Sequence, residues 1–245
     1  MKNILPELVA VPLLPLLLLQ GRRTRARTPR MPEAPGARSG LMLAASPGIP
    51  LQVLGIGESP VAGVGVARQE EAITAQFACE VAGRTGRPVQ WRACGRNGAT
   101  VRDALAQLVG QVPPAPVDVL LVAFGVNDAV AFRRVGDWQA DMLALLEHLR
   151  ARCQPRVVLL SGVPPMQEFP TLPHPLRWVL GLKAAALDRG LAALAQRHDW
   201  LCHVPIVLDT RGDPSLSAED GYHPSAKGCA LWARLLATAY MDIKP

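Results

Sequence analysis

Four short stretches, far apart along the chain, carry groups suited to acyl transfer. Ser59 stands in Gly55-Ile56-Gly57-Glu58-Ser59-Pro60 and Gly98 in Gly95-Arg96-Asn97-Gly98-Ala99-Thr100. Asn127 stands in Gly125-Val126-Asn127-Asp128, and Asp220 and His223 in Asp220-Gly221-Tyr222-His223-Pro224. Together they offer a hydroxyl, a glycine amide, a carboxamide, and an Asp and a His three residues apart, which is the inventory of an acyl-transfer site. Other uses of the first glycine-rich turn fail on its residues. A dinucleotide fingerprint needs glycine where Pro60 stands, a P-loop needs a Gly-Lys-Ser/Thr, and a GxSxG elbow needs glycine where Val61 stands. Pro60 has no N–H to give an oxyanion, so a serine hydrolase built here must use the amide of Ser59 itself. Taken singly, Ser59 reads as a helix N-cap, Gly98 as a turn residue, Asn127 as an Asx turn and His223 as a loop histidine. The set of four is what argues for chemistry. Asp128 reads as local hydrogen-bonding support, and His148, His174, His198 and His203 as structural or surface residues.

These groups need a frame that collects them. Residues 50–56, 89–94, 117–124, 156–161 and 200–204 are short apolar runs that read as strands buried on both faces. Between them, Val101, Ala104, Leu105 and Leu108 mark one helical face and Met142, Leu145, Leu146 and Leu149 another, while Leu187, Leu191 and Leu194 mark a third. A last helix is expected over about residues 225–240. Five βα units in order predict a three-layer α/β/α domain, a flavodoxin-like doubly wound parallel five-stranded sheet. Such sheets bind ligands outside the carboxyl ends of their strands, where the first three blocks fall.

With its four blocks in this order, the sequence resembles the SGNH (GDSL) hydrolase superfamily of esterases and lipases, over about residues 50–240. Gly57-Glu58-Ser59-Pro60 stands where that family usually has Gly-Asp-Ser-Leu, and Asp220 with His223 forms the Asp-x-x-His block. The resemblance implies a catalytic triad of Ser59 as nucleophile, His223 as base and Asp220 as its orienter, with an oxyanion hole made by the amides of Ser59 and Gly98 and the side chain of Asn127. It implies no metal and no cofactor. Glu58 keeps the carboxylate of the usual Asp, and Pro60 replaces a residue from which the family draws no oxyanion donor.

After the fourth strand, residues 162–180 form a proline-rich apolar loop in which Pro165, Met166, Phe169 and Trp178 are candidate substrate-binding residues. As a wall or lid they favour an ester with an aliphatic acyl group; simple packing against the sheet is the alternative. A carbohydrate O-acetylesterase, or a noncatalytic binding module of the same fold at a membrane surface, are the rival readings.

The formal charge of +6 raises the question of nucleic acid. Seven basic residues against two acidic ones in residues 1–40 carry five of those six charges, and no zinc-finger, basic-zipper or RNA-platform motif is present, so nucleic acid is not an expected partner. The apolar stretch 8–19, broken by Pro12 and Pro15, is short for a membrane span and is followed by its arginines, whereas a cleaved signal carries them first. The expectation is a hydrophobic, Arg-rich tail with a linker over residues 1–45, its flexible part at 31–40, and a hydrolase domain over 46–245. The tail would associate with a membrane and leave the catalytic domain cytoplasmic, with export as the alternative. Five scattered cysteines without CxxC spacing indicate neither a disulfide framework nor a zinc site.

Overall fold

The computed structural model describes residues 5–243. Lys2, counted among the charges of the tail, lies outside them. Among the described residues six strands form one sheet: β1 (Ser39–Met42), β2 (Leu51–Gly57), β3 (Val89–Gly95), β4 (Val119–Ala123), β5 (Val157–Ser161) and β6 (Leu201–Val204), in the order β1-β3-β2-β4-β5-β6. The five expected parallel strands lie within two residues of their sequence positions, and their order is that of a flavodoxin-like double winding. The chain reverses its direction of winding between β2 and β4, so the crevice at their carboxyl ends is the natural binding position. There Gly57 is in register with both Gly95 and Ala123.

The sheet reads as continuous apolar runs because helices cover both of its faces. The helices are α1 (Leu5–Arg27), α2 (Ser59–Ala62), α3 (Ile73–Thr85), α4 (Val101–Asp103), α5 (Val126–Val130), α6 (Val135–Cys153), α7 (Leu176–Ala195) and α8 (Ala226–Asp242). Leu51 and Val53 of β2, with Val119 and Leu121 of β4, pack in the cluster that contains Phe77 of α3 and Trp232 of α8. Leu54, Ile56, Leu120 and Val122 point the other way, into the cluster with Trp138 and Leu145 of α6 and Leu187 of α7. Each fully buried leucine or valine contributes about 1.5–3 kcal/mol by leaving water, so both layers hold the strand ends firmly.

Two segments differ from the sequence expectation. Within the stretch expected as a linker, and just past it, Ser39–Met42 forms β1, a sixth strand antiparallel to β3 at the sheet edge. Four residues without alternation leave no periodic signal. Gly40 has a packing reason, since a Cβ there would lie 2.8 Å from Trp91 Nε1.

The tail forms the 23-residue helix α1, with Pro12 and Pro15 inside it, and its Pro6, Ala10 and Leu17 are buried. It lies against α7 and is tied there by polar contacts. The Glu7 carboxylate is 2.5 Å from Nζ of Lys183, a fully buried residue of α7. Gln20 donates from Nε2 to the His174 carbonyl (2.6 Å) and accepts at Oε1 from the amide of Leu176, the first residue of α7 (3.1 Å). By length and composition α1 is the one described helix long and apolar enough to cross a membrane.

Candidate active site

Ser59 opens α2 directly after β2 and is largely buried. Being first in the helix, its N–H has no intrahelical acceptor, and the next residue, Pro60, has no N–H. The turn is fixed by the Glu58 amide, which donates to Ala123 O of β4 (3.0 Å), and by the Glu58 carbonyl, which accepts from Val61 and Ala62 (3.1 Å each). The hydroxyl is thereby held at the β2/β4 crevice.

Gly98 follows β3 with φ +76°, a left-handed conformation that suits glycine, and a Cβ there would meet no atom within 4 Å. No described residue accepts a hydrogen bond from its amide. Its block is braced by the segment before β1. Glu33 accepts from the Asn97 amide at Oε1 (2.6 Å), Arg38 donates to Gly95 O (2.6 Å), and Glu33 and Arg38 pair with each other.

Asn127 lies in the first turn of α5, after β4, and its contacts centre on Glu58. The buried Glu58 carboxylate accepts from the amides of Val126 (2.9 Å) and Asn127 (3.0 Å) and from Asn127 Nδ2 (2.5 Å). Nδ2 also donates to Ala99 O at 3.2 Å. Burial pushes Glu58 up to about 7, against the lowering effect of these hydrogen bonds. Asp128, raised by burial to about 6, accepts from the Val101 amide at the start of α4 (3.2 Å) and so acts as the expected local support.

Asp220 and His223 form a direct pair, with Nδ1 of the ring 2.6 Å from Asp220 Oδ2. Asp220 Oδ1 accepts from the amides of Tyr222 (2.9 Å) and His223 (3.0 Å). Burial disfavours the Asp220 charge, but the bonds from the His223 ring and the two amides outweigh it and hold the carboxyl below its ordinary range. With Nδ1 committed to Asp220, Nε2 is the nitrogen left to exchange a proton. The turn that follows Ser59 touches this block, for a Cβ on Gly65 would lie 3.1 Å from His223 Cβ and 2.4 Å from Pro224 O.

A second Asp–His pair exists. His203 Nε2 is 2.9 Å from Asp188 Oδ1, which also accepts from the Val163 amide. The nearby Ser161 is taken up elsewhere, accepting from Trp232 Nε1 of α8 at 2.9 Å. The pair therefore joins α7 to β6 without a serine beside it, in keeping with the structural reading of His203.

The four loop residues fare differently. Phe169 stacks edge-on with Tyr222 at 5.1 Å between centroids, and Tyr222 with His223 at 5.3 Å, so Phe169 belongs to the wall behind the base. Met166 is fully buried in the core, Pro165 is half-buried, and Trp178 is an exposed residue of α7. Tyr222 was not singled out by sequence reasoning. Burial raises its hydroxyl pKa, and the carboxylates of Glu58 and Asp220 add to the effect. Its position beside His223 was the available signal. Also missed was the second half of α1, whose residues line a cleft that reaches Asp220.

Comparison with known proteins agrees with the fold. No curated protein sequence matches the chain. Among solved structures, the chain is similar to an extracellular lipase from Streptomyces rimosus (16% identity, TM-score 0.56, covering 79% of this chain and 100% of that one). It is similar too to phospholipase A1 from Streptomyces albidoflavus NA297 (17%, TM-score 0.57, 80% and 100%). A carbohydrate esterase family 2 enzyme with a carbohydrate-binding domain, from Corynascus thermopiles, matches at 15% identity and TM-score 0.55, over 80% of this chain and 68% of that one. At these identities the likeness is one of fold. The family model for the GDSL-like lipase/acylhydrolase family matches residues 56–231, and to that family the chain belongs.

Proposed function

We propose that the protein hydrolyses carboxylic esters through an acyl-enzyme on Ser59. The observation that carries this reading is the Asp220–His223 pair set against the turn of a strand-end serine whose own amide, like that of Gly98, has no acceptor among the described residues. His223 Nε2 takes the Ser59 proton as Oγ bonds to the ester carbonyl carbon, and the carbonyl oxygen becomes an oxyanion. The amides of Ser59 and Gly98 receive it. Asn127 contributes a third donor once its longer bond to Ala99 O gives way, while its short bond to Glu58 keeps the carboxamide aimed. The C–O bond to the alcohol then breaks and the leaving oxygen takes the proton from the imidazolium. Water, deprotonated by His223, attacks the acyl carbon. Ser59 departs with its proton restored, so that ester and water have become acid and alcohol.

The alcohol and acyl groups are read from the surroundings. Phe169 and Tyr222 give the base an apolar wall, which favours an aliphatic acyl group. The outer face of α1 exposes Leu8, Val11, Leu14 and Leu18, and its arginines follow. We read this face as the part that meets a membrane, with the catalytic domain cytoplasmic and α1 lying on the lipid surface. The polar cleft beside Asp220 and the likeness to a carbohydrate esterase favour an acetylated sugar as the second substrate reading.

An ester series of increasing acyl length, run with wild type and Ser59→Ala, tests the mechanism. Turnover should fall by at least about a thousandfold in the variant. Equal rates in the two proteins refute the acyl-enzyme, and activity confined to acetylated sugars selects the second reading.

A further inference from the structure

Between the second half of α1 and the loops holding Thr171 and Asp220 lies a cleft of about 530 Å³. Arg23 and Arg27, one helical turn apart, stand on its α1 wall with Thr24, while Thr171, Glu219 and Asp220 stand opposite. Neither arginine has an ion-pair partner among the described residues. The charge of Asp220 is already committed to the His223 ring and two amides, which leaves Glu219, exposed to solvent, as the remaining negative group on the lining. A position in the last turn of a helix accounts for a cation at 27, where it offsets the helix dipole, but not for two unpaired guanidinium groups facing the wall that carries the catalytic acid.

We infer that the ester substrate bears a phosphate group, and that Arg23 and Arg27 bind it in this cleft while its ester carbonyl lies at Ser59. The inference rests on the esterase reading and names its substrate class. Two guanidinium forks can each give a pair of parallel N–H bonds to phosphoryl oxygens, and the hydroxyls of Thr24 and Thr171 stand on the same lining. Asp220, on the lining, is in direct contact with the His223 ring at 2.6 Å, so the cleft that would hold the phosphate borders the Asp–His pair.

Two measurements on the full-length protein test this. The first is the ratio of kcat/KM for dihexanoyl phosphatidic acid over dihexanoylglycerol, both below micelle formation. Wild type should favour the phosphate ester by about tenfold or more, Arg23→Ala/Arg27→Ala should bring the ratio near one, and Arg23→Lys/Arg27→Lys should keep most of the preference. A wild-type ratio near one, or an unchanged ratio in the alanine variant, overturns the inference. The second is calorimetric binding of dihexanoyl phosphatidic acid to Ser59→Ala, with and without the two alanine substitutions. Binding should weaken about tenfold when they are added, and equal affinities overturn the inference. Because this readout needs no turnover, it separates failure of the phosphate site from failure of the esterase mechanism, which full activity of Ser59→Ala would signal. Phosphatidic acid in phosphatidylcholine vesicles, compared with the soluble ester, identifies the source: faster turnover on vesicles means a lipid head group, and faster turnover in solution a free phosphate ester.

Discussion

Glu58 is where the chain departs from the usual acidic residue of its family, and the longer side chain has a defined task. It gathers two amides and the Asn127 carboxamide onto one buried carboxylate. Because burial raises it to about 7, the sign of its stability contribution is opposite to that of an ordinary carboxylate. Between its unfolded value, near 4.5, and about 7 the folded protein holds a proton that the unfolded chain has released, so stability falls as pH rises through that window and levels off above it. In Glu58→Gln that group no longer titrates. The unfolding free energy of wild type relative to Glu58→Gln should therefore decline by up to about 3 kcal/mol from pH 4.5 to pH 7.5, measured by urea titration at each pH. A constant difference would mean that the carboxylate is not desolvated as described. The positions of Ser59, Gly98 and Asn127 after successive strands, and the pairing of Asp220 with His223, were legible in the sequence because four blocks stand in a fixed order along it. The bond from Glu58 to Asn127 was not, since it joins positions 68 and 69 residues apart that only the register of β2 with β4 brings together.

At the scale of elements, α1 was the segment least well described by its composition. A run of leucines followed by arginines says lipid, yet Glu7, the acid that interrupts the apolar pattern, is the ion-pair partner of the fully buried Lys183. A buried ammonium that loses its partner is strongly destabilising, so Glu7→Ala should lower the unfolding free energy by about 3 kcal/mol, at the low end of the range because Glu7 is itself one-third exposed. Lys183→Met placed on that background should recover much of the loss by removing the stranded charge. Wild-type stability in Glu7→Ala, read by thermal or urea unfolding, would show that α1 does not sit on α7 in solution. The same partial legibility applies to β1. Its four residues carry no period, and its place beside β3 depends on Trp91 covering Gly40, a contact between residues 51 positions apart.

For the whole molecule, alternating apolar runs were enough to predict the three layers and the flavodoxin-like order, because both faces of every central strand are buried and burial is what hydrophobic runs record. Charge was read less completely. Five of the six net charges fall in the first 40 residues, which suggested an appendage, but the structure folds that segment back so that two of its arginines, Arg23 and Arg27, line a cleft that reaches Asp220. What composition counted as a tail packs on α7 and shares a cleft with the loop that carries Asp220. One contact makes this arrangement observable in time. Among the described residues, the Leu176 amide has its acceptor in Gln20 of α1, so deuterium exchange at that amide requires the two helices to part. Exchange at Leu176 should be slow in the free protein and should speed up in Gln20→Ala, while amides in the centre of α7 stay protected in both. The same amide, followed in the presence of lipid vesicles, becomes a clock for how often the enzyme lifts its first helix off its body.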